Sequence, residues 1–287
     1  MSMIRREMSL SYLKATMLLL ATFLSSASVL AAEGTSFHRT RPSSDQSLAF
    51  QGGYIVPAEK VVGSVIGARE LKTYFGTGDT LYIRFIRNID VRPGDWLTAY
   101  NMTTVVFHPI TNAYMGRVVK ILGILEITSE PKNRVAEARV IQPLDALKPG
   151  DPVMLYELPA DVQEASKSDE PISGAIVESK EGGELTAQGE IVYIDLGVSD
   201  GLQVGDRLKV IRRGSRESMK DFLPDYALAE LRVLSVQQRS ATTMIVKSID
   251  AVHRGDLVTR LLHRPSPPVQ DPGIEPNTDD HLPEESK

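Results

Sequence analysis

Aspartate directly after glycine is a recurring chemical feature of this sequence. Such pairs include Gly94-Asp95, Gly150-Asp151, Gly205-Asp206 and Gly255-Asp256. Repeated carboxylates could hold Ca²⁺, but a Ca²⁺ loop gathers ligands at alternate positions of one segment, and each of these turns supplies one carboxylate. Glycine accepts the positive φ of a tight turn, and aspartate hydrogen-bonds to nearby backbone. The pairs therefore predict structural turns that lead into strands.

One trio of aspartates comes nearest to a metal-binding pattern. Asp195, Asp200 and Asp206 surround a segment with three glycines at turn spacing. The segment lacks the strand-to-helix context of a phosphate-binding loop and the alternate spacing of a Ca²⁺ loop. We expect neither a metal nor a cofactor.

Most catalytic patterns are missing from the sequence. It contains no H-E-x-x-H, P-loop or dinucleotide fingerprint, and its histidines are scattered over His38, His108, His253, His263 and His281. It has no cysteine, which excludes disulfides, thiolate zinc sites, a cysteine nucleophile and a lipoprotein anchor. We expect a protein that is not an enzyme. Cell-wall hydrolysis by paired carboxylates is the enzymatic alternative, because such pairs converge only in three dimensions.

A basic patch stands out in an acidic chain of formal net charge −5. It comprises Arg212, Arg213, Arg216 and Lys220. Negative net charge disfavours nucleic acid as a partner, whereas the patch suits an anionic glycan, a lipid headgroup or an acidic protein surface. A solvated loop is the alternative interpretation of the patch.

His108 and Asn112 lie in the corresponding stretch of the first half of the chain, HPITNAYMG. Loops held by a rigid scaffold commonly carry binding residues. We therefore expect both residues, together with the basic patch, to belong to a partner-binding surface.

Two blocks of the chain are versions of each other. Adding 111 to a position in the first block gives a matching residue in the second, as for Gly63 and Gly174 or Gly78 and Gly189. Tyr82-Ile83 and Gly94-Asp95-x-Leu97 obey the same offset. A constant offset through separate landmarks indicates an internal repeat.

The elements that position these residues are predicted to be short strands. LYIRFI, RVVKILGILEI, EIVYIDL and TTMIVKSI are β-branched runs of strand length, and helical periodicity is scarce. Short strands joined by turns favour a closed antiparallel sheet in each block. The predicted fold is all-β, with two tandem copies of a small antiparallel β-barrel-like module.

An export signal is predicted at the amino terminus. Its parts are a basic start with Arg5, Arg6 and Lys14, an apolar stretch at 15–24, and small residues that offer Val29-Leu30-Ala31 for cleavage. This order is typical of a secretory signal peptide. A retained anchor is the alternative, but the stretch falls short of the roughly 20 residues that span a bilayer. We expect a periplasmic protein without a transmembrane segment after cleavage.

Composition predicts the remaining boundaries. Polar, Gly/Ser-rich or proline-flanked stretches favour linkers, and the acidic, proline-rich tail cannot bury enough apolar surface to fold. The predicted organisation is a signal peptide at 1–31, a linker at 32–53, module 1 at 54–157, a linker at 158–171, module 2 at 172–262 and a disordered tail at 263–287.

The runs GDTLYI, VRPGDWLTAYN, HPITNAYMG, VAEARVIQ and LKPGD resemble the carboxy-terminal region of bacterial LysM-containing envelope proteins. GEIVYIDLGVSDGLQVGDRLKVIRRG in the second block is similar to the carboxy-terminal domain of the flagellar assembly protein T family. Residues 32–53 are too short for a LysM domain. The predicted signal peptide, the internal repeat and the lack of a catalytic set favour a non-enzymatic envelope scaffold or adaptor. The resemblances imply that it acts at a cell-wall or flagellar assembly, with direct peptidoglycan binding as the alternative.

Overall fold

The computed structural model describes residues 43–160, 171–183, 186–214 and 225–260, all within one compact unit. The predicted signal peptide, residues 32–42, the predicted tail, most of the linker at 158–171, and two residues of the basic patch, Arg216 and Lys220, lie outside these ranges. The regular secondary structure of the described residues is almost entirely strand, which confirms the all-β prediction.

The first half forms one antiparallel sheet. Its strands are β1 Tyr54–Val56, β2 Gly63–Ala68, β3 Thr80–Phe85, β4 Trp96–Phe107, β5 Tyr114–Ile127, β6 Val135–Pro143 and β7 Pro152–Leu155. The pairing of β5 with β6 joins six of them in a ring, β2-β3-β6-β5-β4-β7, and β1 adds to the outside of β5. We call this ring barrel 1.

The second half forms a closed six-stranded barrel, barrel 2. Its strands are β8 Ser173–Ser179, β9 Ile191–Ile194, β10 Arg207–Arg212, β11 Tyr226–Val236, β12 Ala241–Ser248 and β13 Leu257–Arg260, with a short 3-10 helix at Val198–Asp200. Their order around the ring is β8-β9-β12-β11-β10-β13. Because this order matches that of barrel 1 strand for strand, the two copies share a topology as well as sequence landmarks.

Each barrel has its own apolar core. Alternation along the strands sends every second residue inward, so that Leu81, Ile83 and Phe85 on β3 are at most 1 % exposed. In barrel 2 the inward residues include Leu208 and Val210 on β10. A closed sheet leaves no free edge, so each barrel satisfies its backbone internally.

The Gly-Asp pairs form nearly identical turns. Their glycines have φ of 95°, 94°, 94° and 94°, a region that L side chains rarely adopt. Each aspartate carboxylate accepts a hydrogen bond from the backbone N–H three residues earlier, at 2.7, 2.8, 3.1 and 2.8 Å in chain order. Each glycine N–H donates to a carbonyl of another strand. The carboxylates therefore stabilise strand entry.

Part of the predicted linker at 32–53 is a helix, which corrects that assignment. Helix α1, Ser44–Gly52, begins with a capping box, in which Ser43 and Gln46 satisfy each other's backbone N–H. It ends at Gly53, whose φ is 65°. Ala49 and Phe50 are buried, so tertiary packing holds a helix that composition alone does not predict.

Across the described ranges, no helix combines the length and apolar character that crossing a bilayer requires.

Candidate functional site

An arm from barrel 1 lies against barrel 2. It is the distal part of the β4–β5 hairpin, residues 102–118. One face of the arm packs Val106 and Val118 against Val177 and Tyr193 of barrel 2, with Ile55 of β1 in the same cluster. We call this contact the seam. The other face is exposed and carries an aromatic pair, Phe107 and Tyr114, with ring centroids 5.8 Å apart.

His108 fastens the tip of the arm to barrel 2. Its Nε2 lies 2.8 Å from Oδ2 of Asp195, and Asp195 Oδ1 accepts the N–H of Ala175. The backbone N–H groups of Ile110 and Thr111 both donate to His108 Nδ1, each at 3.1 Å. Because Nδ1 accepts two bonds, the proton of the neutral ring is assigned to Nε2, which donates to Asp195.

Asn112 contributes to the turn rather than to the bond with barrel 2. It adopts φ of 57°, a left-handed conformation that asparagine tolerates, and its N–H donates to the carbonyl of His108. The structure therefore brings His108 to the seam and leaves Asn112 exposed beside it.

Arg212 forms an ion pair with another residue of barrel 2. Its guanidinium makes a bidentate pair with Asp256, with Nε to Oδ1 at 3.0 Å and NH2 to Oδ2 at 2.7 Å, and it also contacts Nδ1 of His253. The pairing with Asp256 raises the pKa of Arg212. Arg213 is exposed. Of the predicted basic patch, the described part thus provides one internal ion pair and one surface cation.

Helix α1 and strand β1 connect the barrels more extensively. The Tyr193 hydroxyl donates to the carbonyl of Gly52 at 2.8 Å, and Thr242 Oγ1 donates to the carbonyl of Gly53 at 2.7 Å. Both bonds are buried, and burial raises the pKa of Tyr193. At the start of the helix, Asp45 pairs with Arg232 at 2.9 Å. Together these bonds hold α1 and Gly53, the residue before β1, to barrel 2.

A cleft of about 540 Å³ lies beside α1, with walls from both barrels. Phe50, Ile121 and Met154 provide apolar lining on the barrel 1 side, and Val204 and Val236 provide it on the barrel 2 side. This volume lies within the range of about 300–1,000 Å³ typical of ligand sites. It is about twice as large as a second cleft, of about 270 Å³, that lies beside Lys180 and Glu190 in barrel 2.

The cleft contains hydroxyl groups with weak or missing partners. The Tyr54 hydroxyl donates to the sulfur of Met154 at 3.4 Å, and a thioether is a weak acceptor. The Oγ atoms of Thr98 and Ser235 are buried and have no hydrogen-bond partner. Burial, followed by the nearby Glu157 carboxylate, raises the pKa of Tyr54 to about 12. Tyr54 is therefore a neutral hydroxyl at physiological pH.

The charges of the cleft balance. Its acidic side chains are Glu59 and Glu157, and its basic side chains are Lys60 and Arg87. Lys60 and Glu157 form an exposed pair at 3.5 Å, which contributes little to stability because water screens it. The described residues of the rim therefore carry no net charge.

Within the described residues, no group of three or more His, Asp or Glu side chains is arranged to hold a metal ion. Asp195, Asp200 and Asp206 have separate hydrogen-bond partners: Asp195 bonds His108, Asp200 accepts the N–H of Gly197, and Asp206 accepts a bond from Arg260.

Sequence reasoning did not identify the cleft. A usable signal was present in WLTAY at 96–100, where large or apolar residues occupy both faces of β4. A strand that is buried on both faces shows this pattern instead of alternation. Leu97 and Ala99 point into the barrel core, while Trp96 and Tyr100 pack in a second cluster with Phe50.

No family model matches the sequence, and no curated protein matches it significantly.

Proposed function

We propose that this protein is a non-enzymatic adaptor of the bacterial cell envelope, exported to the periplasm, which holds another envelope protein through a rigid pair of barrels. The observation that carries the proposal is the connection between the barrels. Buried hydrogen bonds from Tyr193 and Thr242 of barrel 2 hold Gly52 and Gly53, and the strand that follows them, β1, pairs with β5 of barrel 1. A fixed arrangement presents composite surfaces that neither barrel has alone.

Export and envelope location are supported by the amino-terminal charge pattern and by the resemblance of both blocks to envelope proteins. His108, Arg212 and the Gly-Asp carboxylates all make hydrogen bonds within the protein. Because these groups stabilise the fold, they support a scaffold function.

Affinity capture from envelope extracts tests this proposal. The exported chain is the bait, and an unrelated cysteine-free periplasmic β-protein of similar net charge is the matched control. A defined protein partner enriched only by the exported chain is expected. Recovery of the same proteins by both baits would contradict the adaptor function.

Direct peptidoglycan binding is a second candidate, and the exposed Phe107–Tyr114 pair favours it. Aromatic rings offer flat apolar faces on which sugar rings can stack. If this candidate is right, the protein co-sediments with purified sacculi, and replacing both rings with alanine abolishes the co-sedimentation. A protein that stays in the supernatant at low and moderate salt excludes it. Release of soluble muropeptides in the same assay would instead indicate a hydrolase.

A further inference from the structure

We infer that the cleft between the barrels binds an uncharged peptide segment that carries a large apolar side chain. This inference rests on the proposed adaptor function and names the part of the partner that the adaptor holds. Four features of the cleft support it: size, apolar lining, unused hydroxyls and balanced charge.

Size and lining favour one large apolar side chain. The cleft holds about 540 Å³, and ligand sites of this size are mostly apolar with a few placed polar groups. Phe50, Ile121 and Met154 form such an apolar surface. An aliphatic or aromatic side chain from a partner would remove apolar area from water on both sides, at about 25 cal/mol per Å².

The hydroxyls favour a peptide over a hydrocarbon chain. Tyr54 donates only to a thioether, so turning it towards a peptide carbonyl exchanges a weak acceptor for a strong one. Thr98 and Ser235 lie nine-tenths or more buried beside the cleft with unpartnered Oγ atoms, and hydroxyl rotation can offer each as donor or acceptor. A peptide supplies N–H and C=O groups for these hydroxyls, whereas an acyl chain supplies neither.

The charges disfavour a polyanion. Glu59 and Glu157 balance Lys60 and Arg87 around the cleft, so a phosphorylated glycan or an anionic headgroup gains no net attraction there. Since the walls come from both barrels, an occupant also contacts both, and its binding energy adds to the stability of their arrangement.

Methyl NMR tests the inference with a defined probe. The protein is labelled with ¹³C-methyl methionine and purified after export and natural processing. It is then titrated with the peptide acetyl-Gly-Phe-Gly-Leu-Gly-amide. Met154 lies in the cleft, whereas Met115 and Met244 do not line it. We expect a saturable shift of the Met154 methyl signal and unchanged Met115 and Met244 signals. Decanoate and a peptidoglycan disaccharide-tetrapeptide are titrated in parallel.

Two variants and one control accompany the titration. Val61 lines the cleft and belongs to none of the buried core clusters. Val61→Trp therefore fills the cleft and is expected to lower the affinity for the peptide at least tenfold. Tyr54→Phe keeps the shape and removes one hydrogen bond, worth about fivefold in affinity. Ile249→Trp enlarges an exposed residue away from the cleft and is expected to bind as the unaltered chain does.

The inference is overturned if the peptide gives no saturable shift, if decanoate or the muropeptide binds more tightly, or if both cleft variants bind like the unaltered protein. Unchanged Met115 and Met244 signals establish that Val61→Trp is folded. Capture of the envelope partner by Val61→Trp would overturn the cleft as the binding site and leave the adaptor function standing. If Val61→Trp fails to capture the envelope partner while Ile249→Trp captures it, the result supports both the adaptor function and the cleft as its binding site.

Discussion

Barrel 1 and barrel 2 share a ring order and a set of turns but differ on their outer faces. On barrel 1 the outer faces of β4 and β7 present Trp96, Tyr100 and Met154 to a second apolar cluster beneath α1. On barrel 2 the equivalent strand β10 presents Arg207 and Lys209 outward. The shared inner pattern builds the barrel, and the different outer pattern decides which barrel carries the cleft.

A second difference concerns one strand position. Leu97 of barrel 1 pairs with Leu155 on β7, whereas the equivalent Leu208 of barrel 2 pairs with Arg260 on β13. Arg260 forms a buried ion pair with Asp206 at 3.1 Å and also donates to the carbonyl of Gly201. In barrel 1, the equivalent Asp95 is only partly buried. Equivalent positions of the two barrels thus hold an apolar residue, Leu155, in barrel 1 and a charged residue, Arg260, in barrel 2.

Replacing Arg260 with leucine gives barrel 2 the residue of barrel 1 and is the largest predicted effect. Asp206 is 2 % exposed, so the variant leaves a buried carboxylate without its cation, at a cost of about 3–5 kcal/mol. Urea unfolding measures the loss. The double variant Arg260→Leu with Asp206→Asn is expected to recover much of it. Equal losses in the single and double variants would show that charge is not the cause.

His108→Ala tests the arm, which only barrel 1 has among the described residues. The variant removes the bond to Asp195 and the acceptor for two backbone N–H groups. We expect about 2 kcal/mol of lost stability. Hydrogen exchange should show faster exchange at Ile110 and Thr111, with the amides of the β5–β6 turn as the unchanged control. Retained protection at both amides would contradict the role of His108.

Tyr193→Phe tests the seam and its dependence on pH. Burial raises the pKa of Tyr193, so the neutral phenol stabilises the folded protein below the unfolded value of about 10, and this contribution is lost as pH rises above that value. At neutral pH the variant loses one hydrogen bond, about 1 kcal/mol.

Urea unfolding at pH 8 and pH 11 measures this dependence. The fall in stability between the two pH values is expected to be smaller in Tyr193→Phe than in the unaltered protein. Tyr114→Phe, which alters a half-exposed ring, is the matched control and should leave the fall unchanged. Equal falls in all three proteins would assign the alkaline loss to other groups.

Arg134→Gly is the smallest predicted effect and has the opposite sign. Asn133 and Arg134 turn the β5–β6 hairpin with φ of 50° and 64°, and arginine pays a steric cost in that region that glycine does not. Among its described residues, barrel 2 has no non-glycine residue with positive φ. A gain of about 0.5–1 kcal/mol is expected in thermal or urea unfolding. A loss would mean that the Arg134 bond to the Ile86 carbonyl outweighs the strain.

Local patterns predict the barrels because turns and strands depend on neighbouring residues. The Gly-Asp pairs and the alternating runs are local patterns of this kind. The constant offset of 111 residues shows that the pattern of the first half recurs in the second, so one half predicts the fold of the other. The same reasoning missed α1, whose nine residues lack an apolar periodicity. Its capping box at Ser43 and Gln46 was readable, but its stability also depends on distant contacts such as Asp45 with Arg232.

The candidate site was less predictable because its parts meet only after folding. Arg212 and Asp256 are 44 positions apart, so the sequence presents a basic patch where the structure has an ion pair. His108 lies 87 positions from Asp195. The cleft depends on how the two barrels are placed, which no repeat within the sequence specifies.

We infer that the two barrels keep one fixed placement, and a distance distribution between two spin labels tests this inference. The chain has no cysteine, so Leu71→Cys and Ile249→Cys, at exposed positions of barrel 1 and barrel 2, take up two labels only. A pair within barrel 1, Leu71→Cys with Lys132→Cys, gives the width due to the labels. We expect a single inter-barrel distance, with a distribution as narrow as that of the control pair. A broad or two-component distribution would contradict it.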